Sequence, residues 1–366
     1  MKEKHLVDFE EKVDLLREIL RKQNADGVLL GLQCHFSWLT GGRGFIGTAS
    51  VPACATLLVT KSKVCLIAEN IEAQRLYREQ LDENPFIEVY EYPWQEGAAR
   101  TGILDSLCGG KKILTENDLS AELFAARTKL SSYDIERYRE ICGTTAQELE
   151  KVCKTLKAGM TEYELAGKLA ERFWANNLEP ITLLVGFDER ALSYRHPVPA
   201  GAVLKNYALV AVCARRCGLI ASATRLVCLK RDEKMIERQK AAAYVDAVLC
   251  ANTVPGVTIG SVFSKAVEAY AEKGWKDEWK YHHQGGLTGY LPRELKGTAG
   301  EGHVIRAGEA YGWNPSVQGA KSENTILVTE NGFESLTHTG DYPYLTYEMN
   351  GKKVVTEDIL ILEENT

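Results

Sequence analysis

The spacing of apolar positions changes rhythm near residue 130. Before that point Val13, Leu15, Leu16, Ile19 and Leu20 recur at helical intervals and predict a helix from Phe9 to Gln23. Short apolar runs follow at 27–30, 55–59, 64–67 and 86–89, each the length of a strand. Helical stretches are expected at about 70–80, 96–107 and 119–129. Strands alternating with helices point to a small α/β domain over residues 1–130, with a partly parallel sheet.

Beyond residue 130 the pattern lengthens. Ser131 and Ser132 offer an N-cap, with Asp134 and Glu136 in the first turn of a long helix. Gly159 breaks it, and Thr161 with Glu164 has the spacing of a capping box for a helix reaching about Asn176. Two further helices are expected over Asp232–Asn252 and Ile259–Lys273, with β-rich stretches at 180–186, 207–213, 217–228, 307–313, 323–329 and 344–361. Helices paired with long antiparallel strands make residues 131–366 an α+β layer. The chain shows no fixed-period repeat and no low-complexity tract.

Composition narrows the function classes. Of the 366 residues, 45% are hydrophobic and 26% charged, the mix of a soluble globular protein. Lys and Arg number 44 against 50 Asp and Glu, a net charge of −6 with no basic stripe, so no nucleic-acid partner is expected. No run of eighteen apolar residues is present, so no membrane span is expected either. The segment Met1–His5 leads into a charged amphipathic stretch unlike a signal peptide, which predicts a cytoplasmic protein. Ten cysteines occur without any Cys-x2-Cys pair, so buried free thiols are expected in place of disulfides or structural zinc.

Candidate chemistry concentrates in His282-His283-Gln284-Gly285-Gly286-Leu287-Thr288-Gly289-Tyr290. Two adjacent histidines, an amide and three glycines in nine residues make a poor strand or helix, and glycine there lets backbone approach a ligand. Here the chain resembles the creatinase/aminopeptidase P/prolidase family. His282 to Glu294 fits the length of the family's signature, with Gly285, Gly289 and Glu294 in register. Three more stretches align in the same order: 209–214, 218–225, and 307–315 continuing through 321–332. The N-terminal block is similar to the small creatinase-type domain. The resemblance implies a pita-bread domain over 131–366 behind an α/β domain over 1–130, and by analogy a homodimer. Arg43, in the loop Thr40–Gly44, is where a cross-subunit contribution would be sought.

The same resemblance implies a departure from the family's chemistry. Its peptidases bind two metal ions through two Asp, one His and two Glu; carried over, these positions are Cys213, Ser222, Gly286, Asn314 and Glu323. One carboxylate, a hydroxyl, an amide and a thiol cannot balance two hard dications, so no metal or other cofactor is expected. The substrate-side histidines correspond to His196 and His282, and a third such position is Arg293. Creatinase, a metal-free hydrolase of this fold, is the precedent for proton transfer by histidine alone, and His196, His282 and Glu323 are the catalytic candidates. Cys213, Ser222, His283, Gln284, Arg293 and Asn314 are the substrate-binding candidates. Arg215, Arg225, Arg293 and Lys321 are expected to form a cationic pocket, and Cys213 is weighed as a nucleophile against a packed thiol. His303, His338 and Trp313 read as structural. Three functions compete: a metal-independent hydrolase of a small C–N substrate, an inactive binding protein for a small molecule, short peptide or protein, and a metal-dependent Xaa-Pro peptidase.

Overall fold

The computed structural model describes residues 2–363, which divide between Tyr133 and Asp134 into two compact units. In the first, the helix Lys2–Lys22 buries Phe9, Val13, Leu16 and Leu20, the stripe its periodicity requires. Five strands follow: β1 (Gly27–Leu32), β2 (Pro52–Thr60), β3 (Val64–Glu69), β4 (Ile87–Tyr92) and β5 (Ile113–Thr115). Their order is β4-β3-β2-β1-β5, antiparallel through β1, β2 and β3 and parallel at both edges. Ile103 and Leu104 of the helix Gly97–Cys108 pack on Leu58, Cys65 and Ile67. A helix over Gln33–Thr40 has no counterpart in the periodicity, because nearly all of it is buried and so shows no polar face.

In the second unit, Thr161 caps the helix Glu162–Ala175 reciprocally: its Oγ1 accepts from the Glu164 amide at 3.2 Å, and its own amide donates to Glu164 Oε2 at 2.7 Å. One sheet comprises β6 (Glu179–Phe187), β7 (Tyr207–Arg216), β8 (Leu219–Cys228) and β18 (Ile359–Ile361), in the order β18-β8-β7-β6. The β7–β8 hairpin turns at Cys217–Gly218, both at positive φ. The second sheet runs β10-β9-β11-β14-β15, all antiparallel, from β9 (Gly285–Thr288), β10 (Leu295–Lys296), β11 (Ala310–Trp313), β14 (Asn324–Thr329) and β15 (Gly332–Ser335). Two ribbons complete it: β12 (Ser316–Val317) with β13 (Ala320–Lys321), and β16 (Tyr344–Met349) with β17 (Lys352–Glu357). The region 344–361 is therefore a hairpin closed at Asn350–Gly351 plus a separate strand.

The two sheets meet where β8 runs beside β14. The Thr224 amide donates to the Glu323 carbonyl at 3.0 Å and the Ser222 amide to Thr325 Oγ1 at 2.9 Å. This junction brings the end of β7, the middle of β8 and residues 321–323 to one place. The helices Glu233–Asn252 and Ile259–Glu272 accompany it, the first capped by the Asp232 carboxylate.

Candidate functional site

The glycine-rich strip is a strand after all, and its glycines have steric reasons. Gly285 and Gly286 hold φ of +94° and +144°. A Cβ on Gly285 would lie 2.0 Å from the Gly312 carbonyl oxygen, and one on Gly286 would lie 2.2 Å from that of Leu295. Glycine lets β9 thread between β10 and β11 where any side chain would collide with backbone.

At the entrance to this strand His282 is buried, with its Nε2 3.1 Å from Nε2 of His196, which lies exposed in the loop after β6. His283 stacks on His282 with ring centroids 4.6 Å apart, and its Nδ1 accepts from the Gly285 amide at 3.2 Å. Burial, then the charge of Lys321, pushes the His282 imidazole far below the usual histidine range, and the same two causes lower His196. Burial and Arg293 bring His283 down to about 4. All three rings are thus neutral near pH 7. A 3.1 Å nitrogen–nitrogen contact between neutral imidazoles requires that one Nε2 carry the hydrogen and the other accept it. In either arrangement one ring keeps a lone pair on Nδ1 and the other a hydrogen there.

His196 and His283 line a cavity of about 170 Å³, with Cys213, Arg293, Asn314, Lys321 and Glu323 on its other walls. A larger cleft of about 800 Å³ near Trp275 and Tyr347 is walled by surface lysines and glutamates and holds none of these residues. Glu323 is the hub of the site. Its Oε2 accepts from Thr224 Oγ1 at 2.7 Å and pairs with Lys321 Nζ at 2.8 Å. Its Oε1 lies 3.4 Å from both Arg293 Nη2 and Asn314 Nδ2. Burial alone would raise this carboxyl, but Lys321 and Arg293 outweigh it and hold it at about 2. Glu323 is accordingly a permanent anion, a counter-ion more than a proton carrier.

Of the five positions carried over from the family, Cys213, Asn314 and Glu323 line the cavity, Ser222 lies behind Cys213 and Gly286 sits on β9, a set unsuited to two metal ions. Cys213 and Ser222 are cross-strand partners on β7 and β8, Sγ to Oγ 3.3 Å. Burial, then Glu323, pushes the Cys213 thiol up, so it is not an activated nucleophile. Gly286 has no room for an imidazole, and the Lys321 ammonium already supplies the positive charge beside Glu323. The three clustered histidines offer nitrogens within 4.8 Å of one another, enough donors for one ion. Lys321, Arg293 and Arg195 nonetheless press positive charge on them, which favours an anion there over a dication.

Other expected members stand apart from the cavity. Ser222 lies buried behind Cys213, and Gln284 is spent on structure, accepting from Tyr270 Oη at 2.7 Å and donating to the carbonyls of His282 and Trp279. Of the four residues of the expected cationic pocket, Arg215 pairs with Glu179 and Arg225 with Glu150, leaving Arg293 and Lys321. Trp313 donates to Thr253 Oγ1 at 2.9 Å and Tyr290 Oη to Asp134 at 2.8 Å, so neither fills the cavity. His303 and His338 bind the carboxylates of Glu309 and Glu357. Thr224 is the residue that sequence reasoning passed over; its place one step from Arg225 on a strand facing Glu323 was the available signal.

Residues 136–330 match the profile of Metallopeptidase family M24. Agropine synthesis cyclase of Rhizobium rhizogenes is 24% identical over 305 residues, 73% of each chain. An uncharacterised peptidase of Staphylococcus saprophyticus is 22% identical, over 89% of this chain and 99% of its own. Among solved structures, the prolidase of Pyrococcus horikoshii superposes with a TM-score of 0.73 at 20% identity, over 90% of this chain and 98% of its own, which makes the fold the α+β pita-bread fold of the prolidases. Among the described residues, no helix is long and apolar enough to cross a membrane.

Proposed function

The chain belongs to metallopeptidase family M24, and from that premise we propose that it is a metal-independent hydrolase that cleaves a C–N bond in a small substrate by histidine acid–base chemistry. The observation that carries this reading is the 3.1 Å contact between His196 and His282 at the edge of a cavity containing a fixed cation. His196 lines the cavity and gives its Nε2 hydrogen to His282 buried behind it, so the free Nδ1 of His196 takes a proton and gives it back, the double duty hydrolysis asks of a single base and acid. Water gives a proton to His196 as its oxygen adds to the substrate carbon. The oxyanion that forms is stabilised by the Lys321 ammonium, which stands where a metal would otherwise supply positive charge. The C–N bond then breaks with its electron pair on nitrogen, and His196 returns a proton to that nitrogen, so one water is consumed in all.

A relative named as a cyclase fits the same machinery, since ring closure differs only in the nucleophile being internal. The reading is tested by screening small amides, ureas and amidines with protein freed of metal by chelation, then repeating with H196Q and H282Q. Turnover that survives chelation and falls by roughly 10²–10⁴-fold in both variants is the expected result. Products that gain the mass of one water mark hydrolysis, and a ring product that has lost the amine without gaining water marks cyclisation. Turnover that disappears on chelation and returns with manganese would overturn the proposal. Absence of turnover across the panel would favour a binding role.

A further inference from the structure

We propose that Arg293 is the residue that fixes a carboxylate in this cavity, and that the ligand is a small amide-bearing carboxylic acid of the N-acyl amino acid type. The amide half of that statement rests on the C–N reading above; the carboxylate half stands on binding alone.

Charge is the first argument. Arg293 and Lys321 share one anion, Glu323, while the adjoining histidines are neutral, which leaves one positive charge uncompensated at the cavity wall. The surplus belongs to Arg293. Lys321 sits 2.8 Å from Glu323 Oε2, whereas Arg293 approaches Oε1 only to 3.4 Å, the long limit of a hydrogen bond.

Unmet hydrogen-bonding capacity is the second. Arg293 Nε and Asn314 Oδ1 are buried without partners, and each such group carries its desolvation penalty until it is satisfied. One is a donor and the other an acceptor. The two residues flank the same Glu323 oxygen and line the same cavity. A ligand that answers both presents an acceptor to the guanidinium and an N–H to the carboxamide, which is a carboxylate on one side and an amide nitrogen on the other. Guanidinium and carboxylate match in a bidentate fork, so the loose contact to Glu323 is free to be re-aimed.

The third argument is that the backbone makes room for this arginine. A Cβ on Gly312 would lie 3.0 Å from Arg293 Nη1, so the guanidinium rests over bare β11. The cavity, about 170 Å³, is below the roughly 300–1,000 Å³ of pockets for drug-sized ligands, which restricts the occupant to a few residues' worth of atoms at most.

The test is calorimetric binding of N-acetylglycine and of its neutral counterpart N-acetylglycinamide to the full chain and to R293Q, R293K and G312A, with urea melts to verify folding. The acid is expected to bind wild type at least tenfold more tightly than the neutral amide, and R293Q to lose roughly 10–100-fold of that affinity while the amide is unaffected. G312A, which keeps the arginine but crowds it, should lose affinity in the same direction; R293K, a point charge without the fork, should recover only part. Equal binding of acid and amide, no binding of either to wild type, or a folded R293Q with unchanged affinity would overturn the proposal. Arg293-dependent binding without turnover would sustain it and count against the hydrolase. Turnover with a KM indifferent to R293Q would do the reverse.

Discussion

Glu323 shows how one retained residue can change role when its neighbours change. In a metal site a carboxylate is a ligand; here Lys321 and Arg293 occupy it as counter-ions, and Thr224 takes a further lone pair. Removing the charge leaves two cations facing each other in a buried place, which costs about 3–5 kcal/mol when one partner of such a pair is lost. E323Q is therefore expected to lower the free energy of unfolding by that order, read as a shift in urea midpoint at pH 7, and K321M/E323Q to lose less than E323Q alone. The pH sense follows from the depressed value. Glu323 ionises more readily folded than unfolded, so its stabilisation is complete above about 4.5 and is lost as pH falls through about 2. Cys213 makes the converse case. Its thiol is paired with Ser222 and raised by burial, so a thiol-specific reagent should leave it unmodified in native protein and label it once urea unfolds the chain; rapid native labelling mapped to Cys213 by mass spectrometry would contradict this.

At the scale of elements, β9 decides what the site can hold. Its two positive-φ glycines let three strands close up behind the histidines, and that closeness removes the position at which the family carries a metal-binding histidine. Reinstating it by G286H is expected to destabilise the protein without restoring manganese binding. The backbone alone costs about 1–3 kcal/mol when a side chain is forced into such a conformation, before the collision with Leu295 is counted. A folded G286H holding stoichiometric manganese by elemental analysis would refute this account of the strand. The strip was legible as a site from its histidines and glycines but not as a strand, because glycine propensity is blind to a backbone that must pass between two others. Helices with a polar face, such as Lys2–Lys22 and Glu162–Ala175, were plain in the periodicity; Gln33–Thr40, which mixes polar and apolar residues and buries both, was not. Candidate cations could be gathered from sequence but not sorted. Arg215 and Arg225 are consumed by Glu179 and Glu150, residues distant along the chain, and only the fold reveals such pairings.

For the molecule as a whole, the buried acids set opposing demands on pH. Asp246, on the helix Glu233–Asn252, accepts from Ser322 Oγ at 2.6 Å and lies beneath the residues that carry Lys321 and Glu323. Burial raises its carboxyl to about 7, with the charge of Glu357 adding to the effect. A raised acid binds its proton more tightly folded than unfolded. Its contribution is fully present below the unfolded value near 4 and is lost as pH rises through about 7, a change on the order of 4 kcal/mol for a shift of this size. His338, raised by its hydrogen bond to Glu357, acts in the same sense, its stabilisation present at low pH and lost as pH rises through its folded value. The depressed His282 and His283 act oppositely, losing stability as pH falls below the ordinary histidine value, and Glu323 joins them at the acid end, so the opposing influences bound a stability maximum near neutral pH. D246N removes the larger basic-side influence while keeping a group that can bond Ser322. Its stability relative to wild type should therefore improve steadily from pH 4 to pH 7 and level off above that, as measured by urea midpoints at one-unit intervals. A difference between the two proteins that stays constant across this range would mean that Asp246 is ionised throughout, with Ser322 and Cys250 solvating its charge well enough to cancel the cost of burial.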